Sequence, residues 1–454
     1  MAERTGIRTR LRRFLAGGFP PVLDVPDQPA KPLVREPFIQ VDRKDIIQRV
    51  LEKQVDPAQR VLAADVIRYM VALRQVESAK LLDDLIQSYD AFNPDDETVN
   101  LTVMSPPERR RALDELREKI ADLARSANYI EIDAERLKEL LDTQEFGALP
   151  AEVDLEEYDF HLLFYRGQIK DNRYHRTWRT LWLLERPFEV DAFARLFLAL
   201  KLKPRDLRVQ HLMQDGLPER QARRRVKRIR QQEMLEGISE NTLHLKIFRK
   251  IARSELRILF PNAKIKFSTL DTWMLWLGSG GSTVVAIVMA LLKFVAAVAL
   301  SIFFVLITLG GALGAIFRSV MNFFNTRNRY MMRLAKSLYF HNLGSNQSVL
   351  ALLNDDAEEE DIKEAVLTYI FLLKHGHRGI EDVRFEVEKF LKDEFDVELK
   401  FDIEDGCDHL RKLRLLVTHD TGAEHILEFE AARARLLEDW QNAPAQEYTS
   451  ALAA

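Results

Sequence analysis

Tyr158-Asp159-Phe160-His161-Leu162-Leu163-Phe164-Tyr165-Arg166-Gly167 is dense in aromatic and apolar residues and closes on a turn glycine. That composition predicts a strand. Thr177, Trp178, Thr180, Leu181 and Trp182 continue the β-forming chemistry. Leu243, Leu245 and Ile247 then alternate with His244 and Lys246, and Ala263–Phe267 alternates again.

Upstream the period changes from two to helical. Ile46, Ile47, Val50 and Leu51 recur at helix spacing, as do Val61, Leu62, Ala63, Val66 and Ile67. A further helix starts at Ser105-Pro106-Pro107-Glu108, a capping serine followed by prolines in the first turn, and carries Leu113, Leu116, Ile120 and Leu123 on one face. Tyr129–Ile132 reads as a short strand, followed by a helix capped by Asp133. Residues 38–268 are therefore expected to form an α+β unit. Before them, residues 1–37 hold a basic tail (Arg4, Arg8, Arg10, Arg12, Arg13) and six of the chain's 16 prolines, the composition of an extended linker.

The chain has 454 residues, which suggests two or three folded units. Its single cysteine, Cys407, excludes an intrachain disulfide and any cysteine-rich metal centre. The formal net charge of -4 conceals a segregation. Residues 341–454 hold 12 Lys+Arg against 26 Asp+Glu, a net of -14, and the remainder carries +10.

Between these halves, Trp273 to Phe317 is a 45-residue run in which only Lys293 is charged. As one helix it would extend about 68 Å, against a hydrocarbon core of about 30 Å. Basic residues flank it on both sides, which favours a hairpin whose two ends share one face of a bilayer. We therefore expect a transmembrane helical hairpin within 269–320, Trp273–Leu292 and Phe294–Phe317, with Lys293 at the turn. Gly310 and Gly314 are placed to let the two helices approach closely, and oligomers could form through the same helices.

Residues 321–454 are expected to form a mostly α, winged-helix-like acidic unit. Ile362, Ala365, Val366, Tyr369, Ile370 and Leu373 fit one helix face, and Lys374 and Gly376 suit its end. The acids Asp355–Asp361 before that face are read as its N-terminal charge, favoured by the helix dipole. A second helix carries Ile380, Val383, Val387, Phe390 and Leu391. Asp402 caps a third, and a hairpin follows at Leu415–Phe429. The net of -14 has the wrong sign for a DNA-binding face.

A basic run, Arg220, Arg223, Arg224, Arg225, Lys227, Arg228 and Arg230, is a candidate for contact with a membrane surface or another anion, and is otherwise a solvated helix face. No phosphate loop, Gly-x-Ser-x-Gly elbow or His-Glu-x-x-His motif is present. His375-Gly376-His377 and Cys407-Asp408-His409 are tight clusters of possible ligands, but each alone is short of the three or four that zinc takes. No catalytic, cofactor or metal residue is assigned. His161, Tyr165 and Tyr339–Asn342 are more simply strand or packing residues. An enzyme reading would need a tight pocket holding ionisable side chains from separate segments.

Several blocks resemble a known family. They are YDFHLLFYRG at Tyr158–Gly167, LKIFRK at Leu245–Lys250, and Ser254–Lys266 with its Leu259-Phe260-Pro261-Asn262-Ala263-Lys264. Beyond the apolar run come Asn328–Met331, Ser337–Leu343 and Lys363-Glu364-Ala365. In this order they resemble the transmembrane protein 143-like family of bacteria, plants and animal mitochondria, over about residues 125–418. The sequence departs from that pattern at Leu270-Asp271-Thr272-Trp273. The resemblance implies two membrane spans and carries over no catalytic residue.

Taken together, these expectations describe an integral, multi-pass membrane protein of a bacterial inner or a mitochondrial membrane. It would be an anchored scaffold or adaptor with both soluble units on the cytoplasmic or matrix face, meeting the lipid bilayer and a protein partner, with nucleic acid disfavoured. The alternatives are a membrane-bound enzyme with a site between the soluble units, and a nucleic-acid or ribosome binder acting through 220–230.

Overall fold

The structure is a computed structural model. It describes residues 35–95, 104–142, 151–153, 155–176, 185–214, 216–235, 240–260, 264–265, 321, 332, 339–376, 379–418 and 424–453.

The quoted stretch lies in the long strand β3, Tyr158–Arg176. It pairs with β1 (Ile130–Glu131) on one side and β4 (Glu185–Leu202) on the other. β5 (His244–Ala252) and β7 (Asn342–Ser345) complete a five-stranded antiparallel sheet in the order β1-β3-β4-β5-β7. Short pairs β2 (Ala151–Glu152) with β6 (Lys264–Ile265), and β8 (Leu416–Thr418) with β9 (Glu424–Ile426), lie outside it. The expected C-terminal hairpin is thus present as β8–β9.

Alternation sorts the sheet's side chains onto two faces. Phe160, Leu162, Phe164, Phe197, Leu245 and Ile247 face one apolar cluster. Leu163, Tyr165, Leu196, Leu198, Phe248 and Ile251 face the other. The β3–β4 register shifts between Tyr158 and Phe160 and is then kept past Gly167, which lies opposite Ala194 between the Arg166–Arg195 and Gln168–Phe193 pairs. The φ of +79° at Gly167 and the 2.9 Å from an added Cβ to the Ala194 Cβ explain why glycine stands there.

Helices α1 (Arg43–Gln54), α2 (Arg60–Asp90) and α3 (Pro106–Ser126) precede β1, α4 (Ala134–Asp142) lies between β1 and β2, α5 (Arg205–Gln214) and α6 (Glu219–Leu235) lie between β4 and β5, and α7 (Gln347–His375), α8 (Ile380–Phe395), α9 (Ile403–Lys412) and, after β8–β9, α10 (Phe429–Ala453) follow β7. α3 begins where the sequence predicts. The Glu108 carboxylate accepts from the Ser105 backbone N–H at 2.8 Å and from its hydroxyl at 2.6 Å. Those bonds hold the Glu108 carboxyl below the usual range, so the cap persists at neutral pH and fades as pH falls through the acid range. Ser105→Ala is expected to lower stability by about 1 kcal/mol, read as a shift in the urea midpoint at unchanged slope.

The two longest helices among the described residues join early and late parts of the chain. Ala63, Val66, Ile67 and Met70 of α2 pack in one cluster with Ile362, Val366, Tyr369 and Ile370 of α7, together with residues of α1, α8, α9 and α10. The other ends of the same two helices, Leu85 and Tyr89 of α2 and Val349, Leu350 and Leu353 of α7, cover the sheet. Asn354 donates to Ser78 Oγ at 2.7 Å across this buried seam. The apolar clusters therefore cross the boundary expected between residues 38–268 and 321–454.

Three expectations are corrected. Among the described residues no helix is long and apolar enough to cross a membrane, so a transmembrane hairpin is not supported. Corrected with it are the integral, multi-pass membrane assignment, the membrane localisation and the bilayer-anchored scaffold. The longest described helices, α2 and α7, are interrupted by charged residues and bury their apolar faces against protein. The run 269–320 itself, with Lys293, Gly310 and Gly314, lies outside the described residues. The winged-helix-like module is corrected too: its first helix, α7, packs against α1, α2 and α3 as well as α8 and α9. Finally, α7 starts at Gln347, so Asp355–Asp361 stand in its middle and not at its N-terminus.

Candidate functional site

A mid-helix run of acids is costly in a core unless each carboxylate finds a donor or a counter-charge. In α7 they find several. Asp356 takes an ion pair from Arg166 at 3.0 Å, another from Arg195, and a hydrogen bond from the Tyr129 hydroxyl at 2.9 Å. Burial pushes the Tyr129 hydroxyl up to about 12. Arg166 also lies over the Phe38 ring, 4.2 Å from its centroid. Glu360, 1% exposed, accepts from the Ile39 backbone N–H at 3.0 Å and from Lys363 at 2.9 Å.

Asn128 is the hinge of this network. It follows α3 with φ of 59°, the left-handed conformation asparagine tolerates at a helix end. Its amide nitrogen donates to Glu364 at 2.8 Å and to Glu360 at 3.3 Å. Glu364 is 2% exposed. Burial, reinforced by the nearby Glu360, Asp361 and Asp405 carboxylates and only opposed by the Asn128 bond, raises its carboxyl well above the usual range.

One turn back, Asp361 is shared between two helices. Arg74 of α2 engages its Oδ2 at 2.7 Å, and Nε2 of His409 on α9 lies 3.1 Å from its Oδ1. The α7–α9 crossing that delivers His409 depends on Gly406, where an added Cβ would sit 2.0 Å from the Thr368 hydroxyl oxygen and 3.1 Å from the Glu364 carbonyl. One ligand atom each from Asp361, Glu364 and His409 lies within 4.8 Å of the others. Asp361 and His409 line a cleft of about 570 Å³ between α2, α7, α9 and α10, with Arg74, Lys412, Arg414 and Asp439 on its walls.

Residues 179–348 match the family described as protein of unknown function (DUF3754). No solved structure matches the chain. The DUF3754 match supports an uncharacterised-domain family. It spans β4, α5, α6, β5 and β7, and stops at the start of α7. Asp361, Glu364 and His409 lie beyond it.

Residues singled out in the sequence fall in different places. Arg220, Arg223, Arg224, Arg225 and Lys227 are exposed on α6, while Arg228 and Arg230 lie on the same helix with side chains outside the described set. Cys407 is buried in the apolar cluster, where burial pushes its thiol up to about 11. It is an inert packing residue and no partner to His409. His375 stacks on Phe371, and His377 lies outside the described residues. His161 and Tyr165 sit on β3, away from the cleft, and Tyr339 and Phe340 are exposed. His409 is visible in the sequence but its partners are not, because Asp361 falls in the run that reads as helix-start charge and Glu364 stands out only within the block Lys363-Glu364-Ala365. Their i, i+3 spacing, which puts two carboxylates on one helix face, was the available signal.

Proposed function

We propose that this chain is a divalent-cation-binding protein, with Asp361, Glu364 and His409 as ligands. The observation that carries the reading is the convergence of two carboxylates and an imidazole from two helices within 4.8 Å, beside an open cleft. Two oxygens and one nitrogen suit a first-row transition metal of the zinc class, which takes three protein ligands and keeps a fourth position open. Arg74 on Oδ2 of Asp361 and Asn128 on Oε1 of Glu364 leave one oxygen of each carboxylate available. They act as the outer hydrogen bonds that orient metal-binding carboxylates.

Titration of metal-free, full-length protein with Co²⁺, followed by its visible absorption, tests this. One equivalent is expected to bind with a tetrahedral-type spectrum, to be displaced by Zn²⁺, and to weaken on acidification as protons compete for the ligands. His409→Ala and Asp361→Asn should each weaken binding at least tenfold. Absence of binding, or binding unchanged in both variants, rejects the site.

The finer kinship, with the transmembrane protein 143-like family, belongs to the same proposal. Its support is the ordered blocks at Leu245–Lys250, Ser254–Lys266, Asn328–Met331 and Ser337–Leu343, which all lie inside the matched stretch.

A further inference from the structure

The helical pair α5–α6 stands apart from the cation site and has a chemistry of its own. Ala222 and Val226, one turn apart on α6, are 0% and 1% exposed and close a small apolar cluster with Val209 and Leu212 of α5. The other described side chains from Arg220 to Lys227 are exposed: Arg220, Gln221, Arg223, Arg224, Arg225 and Lys227. At 3.6 residues per turn, Arg220, Arg223, Arg224 and Lys227 fall within an arc of about 100°, turned away from Ala222 and Val226, and extend about 10 Å along the axis. Among the described residues only Arg223 of these four has an acidic partner, Glu219 at 2.8 Å.

We propose that this stripe docks the phosphodiester backbone of a nucleic acid. A lipid surface is the less suitable partner, because headgroup attraction alone supplies about 1 kcal/mol per cation and firmer seating of a helix needs an exposed apolar face as well. Among the described side chains of α6, the apolar ones, Ala222 and Val226, are already buried against α5. An acidic protein surface interleaves its carboxylates with other side chains. An unbroken row of cations instead complements a partner that is itself an unbroken row of anions, and guanidinium groups bind phosphate oxygens in pairs. Contacts of this kind position a strand without reading its bases.

Fluorescence anisotropy of full-length protein with a labelled 20-nucleotide single-stranded RNA of mixed sequence is the test. Binding should fall with salt, with a slope of log K against log salt of about -3 for four phosphate contacts. The fourfold variant Arg220→Ala, Arg223→Ala, Arg224→Ala, Lys227→Ala should bind at least tenfold more weakly with a flatter slope. Its thermal midpoint should stay unchanged, since these side chains lie in solvent. Unchanged RNA binding by that variant overturns the proposal. So does stripe-dependent binding to poly-glutamate or to phosphatidylserine vesicles that is tighter than binding to RNA.

Discussion

Asp356→Ala should destabilise the protein by about 3–5 kcal/mol, the cost of leaving a buried charge without its partner. Arg166 is 3% exposed and bonds the Ala127 carbonyl at 3.1 Å besides Asp356. Without the carboxylate its charge has no counter-ion inside the α3–β3–α7 junction. Arg195 can relax towards water, since about a third of its side chain is already exposed, so Arg195→Ala should cost much less, about 1 kcal/mol. Urea unfolding monitored by circular dichroism separates the two, with the midpoint falling and the slope held. A loss under 1 kcal/mol for Asp356→Ala would mean that the buried cluster does not hold α7 to the sheet.

Gly406→Ala is expected to be comparably severe for a steric reason. The new methyl would sit 2.0 Å from the Thr368 hydroxyl oxygen, 2.9 Å from its Cβ and 3.1 Å from the Glu364 carbonyl. The last atom is helix backbone and cannot rotate away. Overpacking of this kind costs about 1–3 kcal/mol and at times more. Because α9 must move outward to admit the methyl, His409 should leave Asp361, and Co²⁺ affinity should fall with stability. Thr368→Ala removes the closest of the three contacts. Combined with Gly406→Ala, it should recover part of the loss, a non-additivity that a double-mutant cycle measures. Strict additivity of the two substitutions would count against direct packing between them.

How much of this was legible in the sequence depended on the range of the interaction concerned. The α3 cap, the Asp133 and Asp402 caps, β1 and the β8–β9 hairpin are local, set by residues within a few positions of one another, and they stand where the pattern places them. The partners of Asp361 and Glu364 are not local. Arg74 is 287 residues from Asp361, and Asn128 is 236 from Glu364. An acidic run at the edge of an apolar pattern looks like a helix start when its counter-charges are that distant, and only the fold shows it to be an interior feature. The membrane expectation rested on one apolar run, 273–317, which lies outside the described residues, and no described helix is long and apolar enough to cross a membrane.

The antiparallel pairing of α2 with α7 also bears on how the protein is made. The first described helices have their cores completed by segments some three hundred residues later, as the Ile39–Glu360 and Ile39–Lys363 contacts illustrate, at separations of 321 and 324. During synthesis, Ile46, Val50, Val66 and Met70 must leave the ribosome long before the helices that cover them exist. The nascent chain therefore carries an unsatisfied apolar surface through most of its translation. Contacts this far apart in sequence favour slow, late-closing folding, with apolar surface exposed to aggregation until the later helices arrive.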